Sequence, residues 1–176
     1  PKILDIGTGS GCIAVSLAKN LPNAKVWALD VSENAIRTAK KNAKMNQADI
    51  HFIKADILTT NNIEEKFNVI VSNPPYVREL EKEKMKNNVL NFEPELALFV
   101  KDEDPLLFYR KIAGFAKYHL IPSGELFFEI NQYEAENIIK MLKNKGYNNI
   151  ELRKDIFGND RMIKAVYSPS AKGRLN

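Results

Sequence analysis

A single cysteine, Cys12, is present among 176 residues, so an internal disulfide is excluded. Cys12 lies among small and apolar neighbours (Gly11, Ile13, Ala14, Val15), which predicts a small buried side chain rather than a reactive thiol. Histidine is nearly as scarce. His51 and His119 stand apart, no His/Cys cluster has metal-ligand spacing, and no metal site is expected. No apolar run approaches the roughly 20 residues of a membrane helix, and no signal-peptide pattern is visible. No membrane partner is expected, and the cysteine usage suits a reducing, cytoplasmic setting. No internal repeat is visible.

What is present is an ordinary globular balance, 44% apolar and 27% charged, at a length suited to one compact domain. The net charge of +4 would suit an anionic partner, but lysines scattered over helix faces account for it equally well. The chain starts at Pro1, directly on a strand-like segment, as expected of a piece trimmed from a longer protein.

Hydrophobic periodicity and punctuation predict alternating strands and helices. Strands are expected over 2–6, 25–30, 50–54 and 67–72. Helices are expected over 11–21, closed by Pro22-Asn23, and from the Ser32 cap to about Asn46. Further on, a helix over 104–119 beginning near Pro105, a strand over 124–130 and a helix over 134–145 with Gly146 as its C-cap are expected. Segments 150–154 and 162–167, with no helix between them, predict a terminal hairpin. The expected fold is α/β: a mostly parallel sheet between two helix layers (αβα), with one terminal antiparallel strand. Segment 77–91 is polar and charge-rich, either a solvated loop or short exposed helix, or a substrate-facing lid. Residues 168–176 read as a tail.

Gly7-Thr8-Gly9-Ser10-Gly11 follows the first strand and opens a helix. Close-spaced glycines let the backbone turn tightly there and approach a ligand, and the helix end adds free N–H groups. Asp30 ends the next strand, where a carboxylate can accept both hydroxyl protons of a ribose. A nicotinamide or flavin fingerprint would need its third glycine at position 12, which is cysteine, and the Gly-Lys-Ser/Thr of a P-loop is absent. Asp56 follows the third strand, at a place that suits a turn residue or a helix cap.

Asn73-Pro74-Pro75-Tyr76 follows the fourth strand, at the carboxyl edge where doubly wound sheets bind ligands. Pro75 restricts residue 74 to an extended conformation, so the loop is stiff. The Asn73 side-chain oxygen and the Pro74 carbonyl can accept the two hydrogens of a planar NH2 group and hold its nitrogen in place. Tyr76 either covers the substrate or packs in the core.

Together these stretches resemble the class I, Rossmann-like methyltransferases and, more narrowly, the HemK/PrmC family. Asp5-Ile6-Gly7-x-Gly9-x-Gly11 is similar to the first motif of the class. Two further stretches resemble the family: Asn91-Phe92-Glu93-Pro94-Glu95-Leu96-Ala97-Leu98, and Asp155-Ile156-Phe157-Gly158-Asn159-Asp160-Arg161. The resemblance runs from Lys2 to about Tyr167 and implies a catalytic domain over 1–167. It implies S-adenosyl-L-methionine as cofactor, held by Gly7, Thr8, Gly9, Ser10, Gly11, Asp30, Asp56, Ile57 and Asn73, with S-adenosylhomocysteine as product. It implies, as substrate, the glutamine of the Gly-Gly-Gln loop in a class I peptide chain release factor, bound by Asn73, Pro74, Pro75, Tyr76 and Glu93. Asn73, Pro74 and Tyr76 would be the catalytic residues. Glu93 is either a substrate-loop contact or a surface carboxylate. Family members carry a helical substrate-docking domain ahead of the catalytic domain, and no such stretch is present here. Two other readings remain open. One is a methyltransferase for adenine N6 or guanine N2, which the lack of a base-flipping recognition region disfavours. The other is a non-catalytic binding module.

Overall fold

Ile3 and Leu4 put apolar side chains on both faces of the run Lys2–Ile6, as a strand covered on both faces requires, and it forms β1 in the interior of the sheet. The computed structural model describes residues 1–75, 77–78, 99–100 and 104–168. After β1 come α1 (Cys12–Asn20), β2 (Lys25–Asp30), α2 (Glu33–Met45), β3 (Ile50–Lys54) and β4 (Phe67–Ser72). Two short strands, β5 (Val77–Arg78) and β6 (Phe99–Val100), pair in parallel as a separate ribbon. The chain continues through α3 (Leu107–His119), β7 (Leu120–Glu129), a 3-10 turn (Gln132–Glu134), α4 (Ala135–Asn144), β8 (Tyr147–Lys154) and β9 (Asp160–Tyr167).

The main sheet has seven strands in the order β3-β2-β1-β4-β7-β9-β8. All neighbours are parallel except those of β9, which runs antiparallel to both β7 and β8. This is the expected architecture, including the single reversed strand from a terminal hairpin.

The two faces of the sheet are packed differently. Trp27 and Leu29 of β2 join Leu4, Ile6, Phe67, Ile70, Leu126 and Phe128 in a large cluster closed by Tyr109, Ile112 and Phe115 of α3 and Ile138 and Leu142 of α4. The alternate residues Val26 and Ala28 form a small cluster with Ala14 of α1. Each fully buried Leu, Ile or Phe contributes roughly 1.5–3 kcal/mol of transfer free energy, so the α3–α4 side carries most of the core. The small residues on the other side let α1 and α2 lie close, and α1 enters through Gly11, whose φ is +84°.

A side chain at Gly11 would collide with α2: an added Cβ would lie 3.0 Å from Ala39 Cβ and 3.2 Å from its Cα. Gly9 has a similar backbone, φ +54°, but open space where its Cβ would be. Gly9→Ala is therefore expected to cost about 1 kcal/mol, from the left-handed backbone alone. Gly11→Val is expected to cost roughly 3 kcal/mol, because overpacking adds to the backbone term. Urea unfolding midpoints of the two variants check this, and equal losses would contradict the packing argument.

The first six expected elements agree with the structure to within a residue or two at each end. Ser32 caps α2 as expected, its hydroxyl accepting from the Ala35 amide at 3.3 Å. Four features differ, one of them the start of β8 at Tyr147 rather than Ile150. Helix α3 starts at Leu107; Asp104 and Pro105 form a preceding turn, closed by the Leu107 amide on the Asp104 carbonyl and by an Asp104–Arg110 ion pair. Strand β7 starts at Leu120 rather than Gly124. Its pairing with β4 jumps from Phe67↔Leu120 to Val69↔Glu125, so Pro122, which has no N–H to give a ladder, sits in a bulge with Ser123 at φ +63°. Cys12, expected to be buried, is exposed: it is the first residue of α1, and the buried face begins at Ala14 and Val15. The proposed lid over 77–91 lies outside the described residues apart from the backbone of β5.

Candidate active site

Parallel strands in register bring their carboxyl ends to one edge, and this register does so for four candidate segments. Ile6 lies opposite Leu29 of β2 and opposite Ser72 of β4, while Asp30 lies opposite Lys54 of β3. The glycine loop, Asp30, the Asp56 turn and the Asn73 loop therefore share one edge of four adjacent strands.

The glycine loop is folded onto the end of β2. The amides of Gly7 and Thr8 both donate to the Leu29 carbonyl, at 2.8 and 3.0 Å. Gly7, Gly9 and Gly11 all have positive φ, and the Gly11 amide closes the turn on the Thr8 carbonyl at 2.8 Å. From the helix side, Asn42 of α2 donates to the Ser10 carbonyl at 2.8 Å. Ser10 is exposed, and its hydroxyl lies 3.2 Å from the Cys12 sulfur.

Asp30 organises this loop directly. It is only 9% exposed. Its Oδ2 accepts the Gly9 amide at 2.9 Å and its Oδ1 accepts the Ser32 amide at 2.9 Å. One carboxylate thus sets both the glycine turn and the entry to α2. Each oxygen keeps a second lone pair for a further donor.

Asp5, the first residue of the glycine motif, lies fully buried near the end of β1. Thr8 donates to its Oδ2 at 2.6 Å, whereas Oδ1 is buried with no hydrogen-bond partner. Burial pushes the Asp5 carboxyl up from 3.8 to about 6, against the opposing pull of the Thr8 hydroxyl and the Ala14 amide. Between about pH 4 and 6 the folded chain then binds this proton more tightly than the unfolded chain does. The group's stability contribution falls as pH rises through that window, by about 3 kcal/mol in all. Asp5→Asn is expected to remove this slope. Relative to the natural chain, the variant should gain about 3 kcal/mol between pH 4 and pH 8 in urea unfolding, and a pH-independent difference would contradict the assignment.

The Asn73 loop leaves the sheet from a pinned start. Ser72 is buried, and its hydroxyl donates to the Ile6 carbonyl at 2.7 Å, locking the end of β4 to the end of β1. Pro74 is buried, Pro75 half-buried and Asn73 exposed. The proline ring anchors the loop and leaves Asn73 on the open side. The two loops meet here: a Cβ on Gly7 would lie 3.9 Å from the Asn73 carbonyl oxygen.

Asp56 forms a turn, its Oδ1 accepting the Leu58 amide at 2.8 Å and its carbonyl accepting the amides of Thr59 and Thr60. Ile57 is 9% exposed and packs into the large core cluster. Tyr76 and Glu93 lie outside the described residues. Ser72 and Asn42 hold the site together without a local sequence signal, since each acts across a long chain separation and on a backbone carbonyl.

The family model for the methyltransferase small domain matches residues 1–92. A release factor glutamine methyltransferase of Flavobacterium psychrophilum is 59% identical over 166 residues, covering 94% of this chain and 58% of the relative. One of the same name from Bacteroides thetaiotaomicron is 52% identical, covering 93% of this chain and 59% of the relative. The chain thus spans less than two thirds of these relatives' lengths. The crystal structure of a methyltransferase from Pyrococcus furiosus superposes with a TM-score of 0.70 at 22% identity, over 95% of this chain and 75% of that one, a likeness of fold. The chain belongs to the methyltransferase small-domain family and, within it, to the HemK/PrmC methyltransferases that its motifs resemble.

Proposed function

We propose that this chain transfers a methyl group from S-adenosylmethionine to the N5 side-chain amide nitrogen of the glutamine in the Gly-Gly-Gln loop of class I peptide chain release factors. The observation that carries the reading is the joining of the Asn73 loop to the glycine loop through the Ser72–Ile6 hydrogen bond and the Gly7–Asn73 approach. The names of the relatives support the choice of substrate.

The residues fit the cofactor. The open space at Gly9, the exposed Ser10 and the N-terminal amides of α1 suit the carboxylate of an amino acid. The orphaned Oδ1 of Asp5, beneath the same loop, supplies negative charge that favours an ammonium group nearby. Asp30, with a spare lone pair on each oxygen, would accept the ribose hydroxyls. Asp56 and Ile57 would border the adenine, Asp56 through Oδ2, since Oδ1 already serves the turn. When bound, the cofactor supplies a methyl group on a sulfonium, an electrophile needing no further activation.

The protein's part is positioning. An amide nitrogen is a poor nucleophile because its lone pair is delocalised into the carbonyl. The Asn73 side-chain oxygen and the Pro74 carbonyl accept its two N–H groups and fix it facing the methyl, and the proton leaves after the methyl has arrived. Tyr76 would cover the amide, with Pro75 stiffening the turn, and Glu93 would hold the substrate loop. A methyl-transfer assay with labelled cofactor tests the reading. Label is expected on a release factor, and not on the same factor with its loop glutamine replaced, nor on tRNA, rRNA or DNA. Label on nucleic acid alone would overturn it.

A further inference from the structure

The turn between β8 and β9 holds two large apolar side chains out in water: Ile156 is 93% exposed and Phe157 83%. The turn itself is tightly built. Asp155 Oδ1 accepts the amides of Phe157 and Asn159 at 2.9 and 3.0 Å, and the Asp155 carbonyl accepts the Gly158 amide at 3.0 Å. Gly158 takes the left-handed φ of +84° that the turn needs. The Arg161 guanidinium bridges Asp155 Oδ2, at 3.3 Å, and the Ile130 carbonyl at the end of β7, at 3.4 Å. Lys154 ties the Gly158 carbonyl to Asp160. The bonds to its amides and to Arg161 hold the Asp155 carboxyl below the usual aspartate range, so this scaffold stays ionised and intact at neutral pH.

The position of the turn matters as much as its rigidity. Strand β8 runs parallel to β4, so its carboxyl end lies at the same edge as the Asn73 loop. The tip is two to three strand spacings from β4, roughly 10–14 Å along that edge.

We propose that Ile156 and Phe157 form an apolar knob that seats in a socket on the protein substrate, gripping it beside the methyl-accepting residue. The inference rests on the reading that the substrate is a protein. A primary amide gives the pocket little to distinguish one glutamine from another, so recognition needs contacts outside the pocket. Apolar side chains on an already rigid turn lose little freedom on docking, and such residues dominate interface energetics. The surrounding charges favour a protein over nucleic acid or an anionic membrane. Arg153 pairs with Glu151, Lys154 with Asp160, and Arg161 with Asp155, so among the described residues of this turn the charges are balanced.

The test is steady-state methylation by the full chain carrying I156S and F157S together. With a whole release factor, KM is expected to rise tenfold or more, with kcat within about twofold. With a short peptide carrying only the Gly-Gly-Gln loop, KM is expected to stay unchanged, as is affinity for S-adenosylmethionine. F157L, which keeps the apolar contact, is expected to restore most of the KM. An unchanged KM for the whole factor, where the natural chain methylates it well, overturns the knob and leaves the catalytic reading standing. An equal loss with factor and peptide overturns it too, since the turn would then act on the pocket. If the natural chain does not methylate the factor, the catalytic reading fails and the knob with it. Loss of self-association, or of binding to phosphatidylserine vesicles, at unchanged KM would assign the knob to those partners instead.

Discussion

Asn73→Ala is expected to lower turnover by about two to three orders of magnitude while leaving affinity for S-adenosylmethionine within about twofold. The separation follows from how the loop is held. Its anchors are the Ser72 hydroxyl on the Ile6 carbonyl and the buried Pro74 ring, neither of which involves the Asn73 side chain. That side chain is exposed at the open edge, so removing it leaves the sheet, the glycine loop and the stiff turn in place. What goes is one of the two oxygens proposed to fix the amide nitrogen, and with it most of the positioning on which a weak nucleophile depends. Single-turnover rates and calorimetric titration with S-adenosylmethionine check the two halves separately. If affinity and rate fall together, Asn73 shapes the cofactor pocket instead. If neither falls, the proposed role is wrong.

Asp30→Ala should act the other way, on affinity and stability. The carboxylate accepts the Gly9 and Ser32 amides, and an alanine leaves both without that partner. Each amide stranded at a largely buried site costs about 1–3 kcal/mol, so a stability loss of about 3 kcal/mol is expected. The Gly9 turn then loosens, and the proposed ribose contacts vanish as well. Affinity for S-adenosylmethionine is therefore expected to fall by about two orders of magnitude, as the loss of two charge-assisted hydrogen bonds would produce. Asp30→Asn keeps an acceptor for one amide but turns an NH2 toward the other, and should fall between. Urea unfolding and calorimetry read the two effects. A variant that binds the cofactor normally but unfolds easily would restrict Asp30 to the loop-building role.

Much of this fold was legible because the local signals agree with one another. β1, β2 and β4 are short apolar runs ended by Gly7, Asp30 and Asn73, and α2 has a capping serine followed by apolar positions at helical spacing. The signals failed where tertiary packing decides. Pro122-Ser123-Gly124 looks like a break between elements, yet the strand passes through it as a bulge because Leu120 still pairs with Phe67. Cys12 sits among apolar neighbours in sequence, but helical phase turns it outward while Ala14 and Val15 face the sheet.

The candidate site divides in the same way. Gly7, Gly9, Gly11 and Asp30 could be picked out because a loop with positive φ after a strand demands glycine and the acid closes the next strand. That Asp30 spends a lone pair of each oxygen on backbone amides, and that Asp5 is buried with an orphaned oxygen, depends on how the loop closes over the strand ends. Asp56 had two readings, and the structure supplies the turn one; an adenine contact would have to use its other oxygen.

Methylation of an immobilised planar amide at the edge shared by the glycine loop and the Asn73 loop is tested by tandem mass spectrometry of a release factor incubated with the chain and S-adenosylmethionine. One added methyl group is expected, located by fragmentation on the side-chain nitrogen of the Gly-Gly-Gln glutamine and missing from the Asn73→Ala reaction. A methyl group on any other residue, or an unmodified factor in a reaction that consumes the cofactor on another acceptor, would contradict it.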